Sequence, residues 1–386
     1  MIQRLLSILL LICLACSFAF AEETDARPEL TTAGMELGIH SIAYPQLTGL
    51  ADEALQEKLN SGIISAGQVD TLLAKLPLFL SGEVAMTLSW TGGICGDLLS
   101  VAMLADGPVG EDGRVTQVWS TFTADLMTGE TLPLSAIFAD EESGTALLER
   151  YLQETVLPAL SPHLENCELL PLPETYTVSS TGLTLYYPLE RLSTLSGKAG
   201  TVSICWYELA EALDTGESGV PRRCGAEEFL SAGAGTAELI RASVEEGRLP
   251  GIPAALGDAM QELVETSGLL NDPDLCEAGR LVALEGAAWR DVFLITDSLQ
   301  EKTWTGSTVN GIRADRISLW GIATGVTGAD EWREILGTPD ATVTVDEEQA
   351  ERWRIEPGTS DYYTFGSHQL RLHAGEDGVL VSVFLM

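Results

Sequence analysis

The chain has 386 residues, 45% of them hydrophobic, and carries 57 Asp and Glu against 21 Lys and Arg, a formal net charge of -36. A chain this long buries its own core, so a disulfide framework is not expected. Its acidity is spread over both halves, which argues against nucleic acid, anionic lipid and teichoic-type polymers as partners and favours cations or basic proteins.

Residues 1–21 read as a secretory signal: Arg4 is the positive end, an apolar run of about 16 residues extends from Leu5 to Phe20, and Ala19-Phe20-Ala21 is the cleavage site. The run is shorter than the ~20 residues a spanning helix needs, so the expectation is an extracytoplasmic protein beginning at Glu22. A signal-anchored form, or a lipoprotein carrying lipid on Cys16, is less favoured, because Cys13 and Leu14 suit a lipidation site poorly. No later segment is long and apolar enough to enter a membrane. At this charge a secreted protein also stays soluble.

Removal of the signal leaves Cys95, Cys167, Cys205, Cys224 and Cys276, an odd number, so at least one thiol has no disulfide partner, and the pairing is open. No two have C-x-x-C spacing, so neither a redox motif nor a zinc motif is indicated. Cys205, between Ile204 and Trp206, reads as a small buried residue in a strand.

Tyr44-Pro45-Gln46-Leu47 leads into a helix through Leu50, Ala54, Leu55, Leu59 and Asn60. Alternation from Val118 to Leu126 predicts a strand, with Val118, Ser120, Phe122, Ala124 and Leu126 on one face. A Met127-Thr128-Gly129-Glu130 turn and an apolar Leu132-Pro133-Leu134 follow. Leu147, Leu148, Tyr151, Leu152 and Val156 then recur at helical spacing, with Pro158 and Pro162 marking the helix end. Tyr176 and Val178, then Leu183, Leu185 and Tyr187, flank Ser180-Thr181-Gly182 as a hairpin, and a strand before Trp206 closes the series.

That order, with the wording TFTADLMTGETLPLSAIF, TYTVSSTGLTLYYPLERL and a Gly200 before TVSICWYEL, resembles the domain shared by RsiV-type anti-sigma factors and PdaC-type peptidoglycan deacetylases. The likeness spans roughly residues 36–213. It implies an α+β fold of antiparallel sheets with packed helices over 33–213, in halves of 33–105 and 106–213. The matching extracellular domain of RsiV-type proteins recognises lysozyme, so the resemblance implies a basic cell-wall hydrolase as partner, with a wall glycan as the alternative. Residues 192–197, LSTLSG, depart from the family's aromatic and small residues before its glycine.

Residues 214–221 concentrate turn formers and are expected to be an exposed connector, opening a linker and helical segment over 214–256 that is broken near Gly233 and Gly235. A small sheet-and-helix module is expected over 257–386. It should contain a helix near Asp258 to Val264, strands at Leu281 to Leu284, Val292 to Thr296 and Ile312 to Trp320, and a helix capped by Thr327 and ended by Gly337 and Pro339. Tyr362 to Phe365 and a closing hairpin around Glu376-Asp377-Gly378 complete it. This module is weakly similar to small secreted inhibitors and outer-membrane assembly lipoproteins, whose partners are unrelated to one another.

The sequence indicates no catalytic chemistry. PdaC-type enzymes use an Asp-Asp pair in a T-F-D-D-G-P motif and two histidines, whereas Thr121-Phe122-Thr123-Ala124-Asp125 lacks adjacent carboxylates and no H-x-x-x-H follows. Of the four histidines, His40, His163, His368 and His373, the last two are five apart in or beside a strand and so face opposite ways. Gly110-Glu111-Asp112-Gly113 and Gly375-Glu376-Asp377-Gly378 read as turns and not calcium loops. Glu141 and Glu142 suit a helix start, and Trp289, Trp304, Trp320, Trp332 and Trp353 suit core packing. The expectation is therefore binding without catalysis, with no cofactor, metal or catalytic residue assigned; the alternatives are a peptidoglycan- or glycan-modifying hydrolase or deacetylase with an unrecognised site, and a structural envelope protein. Ligand contacts and oligomeric state are not readable from the sequence.

Overall fold

A computed structural model of the chain describes residues 27–79, 84–108, 115–160, 170–187, 200–266, 274–283, 291–296 and 304–386. The signal segment, Cys167, His163, Trp289, the 110–113 turn and the 192–197 departure lie outside the described residues. Among the described residues the protein is α+β, built on three larger sheets and one two-stranded hairpin, with helices packed against them.

The first sheet has the order β1 (Glu29–Leu37), β2 (His40–Thr48), β3 (Thr87–Cys95), β4 (Leu98–Gly107), β5 (Thr116–Asp125). It begins at Glu29, ahead of the boundary at 33. All neighbours are antiparallel except β2 and β3, which pair in parallel at Ser41↔Thr87 and Ile42↔Leu88. A parallel pair requires a crossover, and α1 (Glu53–Ala66) and α2 (Val69–Phe79) supply it. Asp52 caps α1 by accepting from the Leu55 N–H at 3.0 Å. Leu59 and Ile63 of α1, one turn apart, pack with Leu72 and Leu76 of α2 against Ile42, Val101 and Phe122. Close approach explains Gly62, where an added Cβ would lie 2.5 Å from the Phe122 ring. Asn60, half-buried, holds the Leu47 backbone from both sides, accepting its N–H at 2.7 Å and donating to its carbonyl at 2.9 Å.

On the opposite face of β4 and β5 lies a second sheet, β6 (Tyr176–Val178), β7 (Gly182–Tyr186), β8 (Thr201–Cys205), antiparallel throughout. Helix α3 (Glu141–Tyr151) has Glu141 and Glu142 in its first turn and Asp140 as its cap. It continues past Tyr151 through a π-turn at Leu152–Val156 into a last turn at Leu157–Leu160. Pro158 lies in that last turn, which ends at Leu160 between Pro158 and Pro162 as expected, and the wider turn before it accommodates a residue that cannot donate an N–H. Leu148, Leu152 and Val156 pack with Val202, Ile204 and Trp206 in the second core.

The third sheet has eight antiparallel strands, more than a small module implies: β9 (Asp274–Cys276), β10 (Gly279–Ala283), β11 (Val292–Thr296), β12 (Gly311–Ala314), β15 (Ala341–Val345), β16 (Gly358–Phe365), β17 (His368–Gly375) and β18 (Leu380–Leu385). Their order is β15-β16-β17-β18-β12-β11-β10-β9, and β13 (Ser318–Leu319) with β14 (Ile322–Ala323) forms a separate hairpin. The strand expected from Ile312 to Trp320 is thus broken between β12 and β13. Four short helices precede the large sheet or lie beside it: α4 (Val220–Arg223), α5 (Glu227–Leu230), α6 (Thr236–Glu245) and α7 (Met260–Thr266). Two more follow, α8 (Ala329–Leu336) and α9 (Glu347–Trp353).

Gly328, and not Thr327, caps α8: the Glu331 carboxylate accepts the Gly328 N–H at 3.0 Å. The Thr327 hydroxyl instead accepts from Ala323 N at 2.9 Å and closes the turn that follows β14. Trp332 is 1% exposed, Trp304 is buried and Trp320 and Trp353 are half-buried, all four packed against neighbouring side chains.

The segment 214–256 is divided between cores. Residues 215–218 are exposed, yet Gly219, Val220 and Pro221 are buried, because Val220, Cys224 and Ala226 pack into the second core. Ile240, Val244, Leu249 and Ile252 join the third. No helix among the described residues is long and apolar enough to cross a membrane.

Candidate functional site

A groove of about 550 Å³ opens beside the end of β5, inside the segment that carries the sequence resemblance. Its geometry follows from how β5 terminates. Asp125 folds its carboxylate back over the next turn, with Oδ1 accepting from Met127 N at 2.6 Å and Thr128 N at 3.0 Å. Gly129, at φ 66, supplies the left-handed residue, and its N–H returns to the Asp125 carbonyl at 2.8 Å. Lys58 of α1 donates to the Thr128 carbonyl at 3.1 Å, and Arg223 Nη2 donates to Asp125 Oδ2 at 2.8 Å. Burial alone would raise the Asp125 pKa, but the two backbone N–H groups and Arg223 outweigh it and hold the carboxyl below its ordinary range.

The chain then runs back along β5, Leu132 N donating to the Thr123 carbonyl at 3.0 Å, and forms a 3-10 turn at Leu134–Ile137. The buried Tyr176 hydroxyl donates to the Leu132 carbonyl at 2.6 Å, and burial pushes its pKa up, so it remains a donor. Leu132, Pro133, Leu134, Leu172 and Pro173 line the groove as its apolar part, Thr121, Thr131, Ser135 and Thr145 add hydroxyls, and Glu141 and Glu174 are exposed at the rim. None of the described lining residues is basic. Such a groove can take the aliphatic stem of a Lys or Arg side chain on its apolar surface while the carboxylates receive the cationic head.

Of the residues with candidate chemistry in the sequence, Thr121, Phe122, Thr123 and Glu141 line the groove and the described histidines lie elsewhere. His40 is buried and accepts from Met86 N at 3.0 Å through Nδ1. His373 is buried and hydrogen-bonded within the third unit, whereas His368 is half-buried at the start of β17. Among the described residues no three His, Cys, Asp or Glu side chains gather to hold a metal. Glu174 was not singled out in the sequence. The available signal was its place between Pro173 and the β6 strand, beside a turn already recognised.

No family model and no curated protein matches the chain. Similar solved structures exist. A DUF3298 family member from Bacteroides fragilis is 14% identical with a TM-score of 0.34, the match covering 49% of this chain and 94% of that one. A DUF3298 family protein from Pseudomonas aeruginosa is 12% identical with a TM-score of 0.35, covering 49% and 95%. A DUF4309 family protein, YjgB from Bacillus subtilis, is 14% identical with a TM-score of 0.26, covering 39% and 95%.

Proposed function

We propose that this is a non-catalytic extracytoplasmic binding protein whose partner is a basic, cell-wall-associated protein of the lysozyme type. The observation that carries the reading is the groove beside β5, with an apolar lining, Glu141 and Glu174 at its rim and no basic lining residue. The sequence resemblance of the same segment to lysozyme-recognising domains supports it, as does the net charge of -36, which steers a cationic partner towards the surface. Binding is preferred to catalysis because the sequence carries no nucleophile or metal motif. The hydroxyls of Thr121, Thr131, Ser135 and Thr145 favour a wall glycan as the second reading, since a sugar needs hydrogen-bonding partners above an apolar floor.

The test is binding to lysozyme at about 0.15 M salt, where the screening length is roughly 8 Å and only close contacts persist. A saturable one-to-one complex is expected, weakened about tenfold or more by the double substitution Glu141→Lys with Glu174→Lys. Equal binding by an unrelated basic protein would overturn the assignment, and binding of wall glycan fragments but not lysozyme would select the second reading.

A further inference from the structure

Strand β3 ends at Cys95, and Cys224 follows directly on α4, where the two backbones meet closely. A Cβ on Gly96, whose φ is +57, would lie 1.8 Å from the Arg223 carbonyl oxygen and 3.7 Å from the Cys224 Cα. Arg223 fixes this junction by donating from Nε to Asp97 at 3.0 Å and from Nη2 to Asp125 at 2.8 Å. Within it the two thiols lie against successive carbonyls of one turn. Cys95 Sγ is 3.7 Å from the Val178 oxygen, and Cys224 Sγ is 3.4 Å from the Ser179 oxygen. Both are in the thiol form.

We propose that Cys95 and Cys224 are a modification site, a dithiol that closes to a disulfide joining the first sheet to α4. The neighbouring Cys224 thiol lowers the Cys95 pKa against the effect of burial and Asp97, and Cys95 together with burial raises that of Cys224. Cys95, half-buried and so the more accessible of the two, is the attacking thiolate, and the buried Cys224 is the resolving thiol. The co-reactant is a disulfide-bearing oxidant. Cys95 loses its proton and attacks one oxidant sulfur, forming a mixed disulfide and releasing the other sulfur as a thiolate. Cys224 loses its proton and attacks the Cys95 sulfur, forming the Cys95–Cys224 bond and releasing the second oxidant thiolate. Two protein thiols are oxidised by two electrons, the oxidant disulfide is reduced to two thiols, and the two protons pass to the departing thiolates. The new bond closes a loop of about 130 residues, which constrains the unfolded chain strongly.

The test uses the purified full chain, reduced and then incubated with oxidised glutathione, followed by alkylation, non-reducing digestion and mass spectrometry. A linked peptide joining Cys95 to Cys224 is expected, lighter by two hydrogen atoms than the sum of its parts. Tm should rise by about 5 °C or more on oxidation. Both effects should vanish in Cys95→Ser and in Cys224→Ser and persist in Cys205→Ser. Recovery of both peptides alkylated after oxidation, a stable glutathione adduct on Cys95, or a link from either residue to another cysteine would each overturn the proposal, and the peptide map gives these answers even where a serine variant folds poorly.

Discussion

At the residue scale, His373 shows how a polar chain fixes one protonation state. The Glu356 carbonyl can only accept, so His373 Nε2 donates to it at 2.8 Å and Nδ1 is left as the acceptor of the Ser360 hydroxyl at 2.9 Å. Ser360 in turn accepts from Arg371 Nε at 2.9 Å. Protonating the ring would set a second donor against Ser360 and a second cation near Arg371. Burial, the largest cause, and Arg371 with Arg313 accordingly lower the His373 pKa, although the Glu356 bond opposes them. A histidine with a depressed folded pKa contributes stability above its unfolded pKa of about 6.5, and that contribution falls away as pH drops below it. Urea unfolding should therefore show declining stability from pH 7 to pH 5, with a flatter profile in His373→Gln; an unchanged slope in that variant would refute the assignment. Asp361, fully buried, behaves in the same sense at lower pH. Burial would raise its pKa, but Arg333 at 2.7 Å, Thr342 at 2.6 Å and Trp332 at 3.0 Å hold it down, so its contribution is present above about pH 4 and lost as the carboxyl protonates. Replacing Asp361 with Ala should cost about 3 kcal/mol in denaturant unfolding, because three donors lose one acceptor group.

At the element scale, β6 is an edge strand whose free backbone groups meet side chains of the first sheet. Thr121 Oγ1 accepts from Tyr176 N at 3.1 Å, Ser100 Oγ accepts from Val178 N at 2.9 Å, and Thr123 Oγ1 donates to the Tyr176 carbonyl at 3.4 Å. Hydroxyls on β4 and β5 thus replace the missing neighbour strand, which keeps the edge from acting as a pairing template. Ser100→Ala should cost about 1–3 kcal/mol by leaving the Val178 N–H buried and unpaired, measurable as a fall in the urea midpoint with unchanged m. The same strands mark what the sequence made legible. Period-two alternation located β5 and the β6–β7 hairpin, because turn formers punctuate each of them. It assigned β5 one apolar face, with Thr121 and Thr123 opposite. Thr123 is nevertheless buried, since a second sheet covers that side, and no local pattern encodes a sheet contributed by residues more than fifty positions away. Thr327 was misassigned as a cap for a related reason. Its hydroxyl had two possible local partners, and the turn that follows β14, in which Thr327 N also returns to the Ala323 carbonyl, presents the Ala323 N–H to it. The groove was half legible: its turn and the Glu141 helix start were readable, but Glu174 reaches it only through tertiary folding.

At the scale of the whole molecule, the second and third cores meet across a buried ion pair. Arg316 Nη1, following β12, donates to Glu208 Oε2 at 2.9 Å and to the Ser203 carbonyl at 3.0 Å, and the two side chains are only 10% and 11% exposed. Glu208 is held by more than Arg316: it accepts from Cys205 N at 2.7 Å and from the Tyr151 hydroxyl. Burial would depress the Arg316 pKa, but Glu208 reverses the shift and keeps the guanidinium charged. Two further bonds cross nearby, Tyr207 with Thr324 at 3.1 Å and Ser318 to the Phe229 carbonyl at 2.7 Å. This seam changes what the exposed 215–218 loop means. A protease should cut there, but Val220 beyond it is anchored in the second core, and the seam still joins the two sides. Nicked protein should consequently elute from gel filtration as one particle. Glu208→Gln leaves Arg316 buried beside a neutral partner, a change that typically costs about 3–5 kcal/mol, whereas replacing Arg316 by Met together with Glu208→Gln removes the stranded charge and should restore part of that loss. The single variant should therefore release separate fragments after nicking, and the double variant should hold together better than the single. Separation of the nicked wild-type protein into two fragments under native conditions would show that the ion pair does not join the units, and the coupling argument would fail with it.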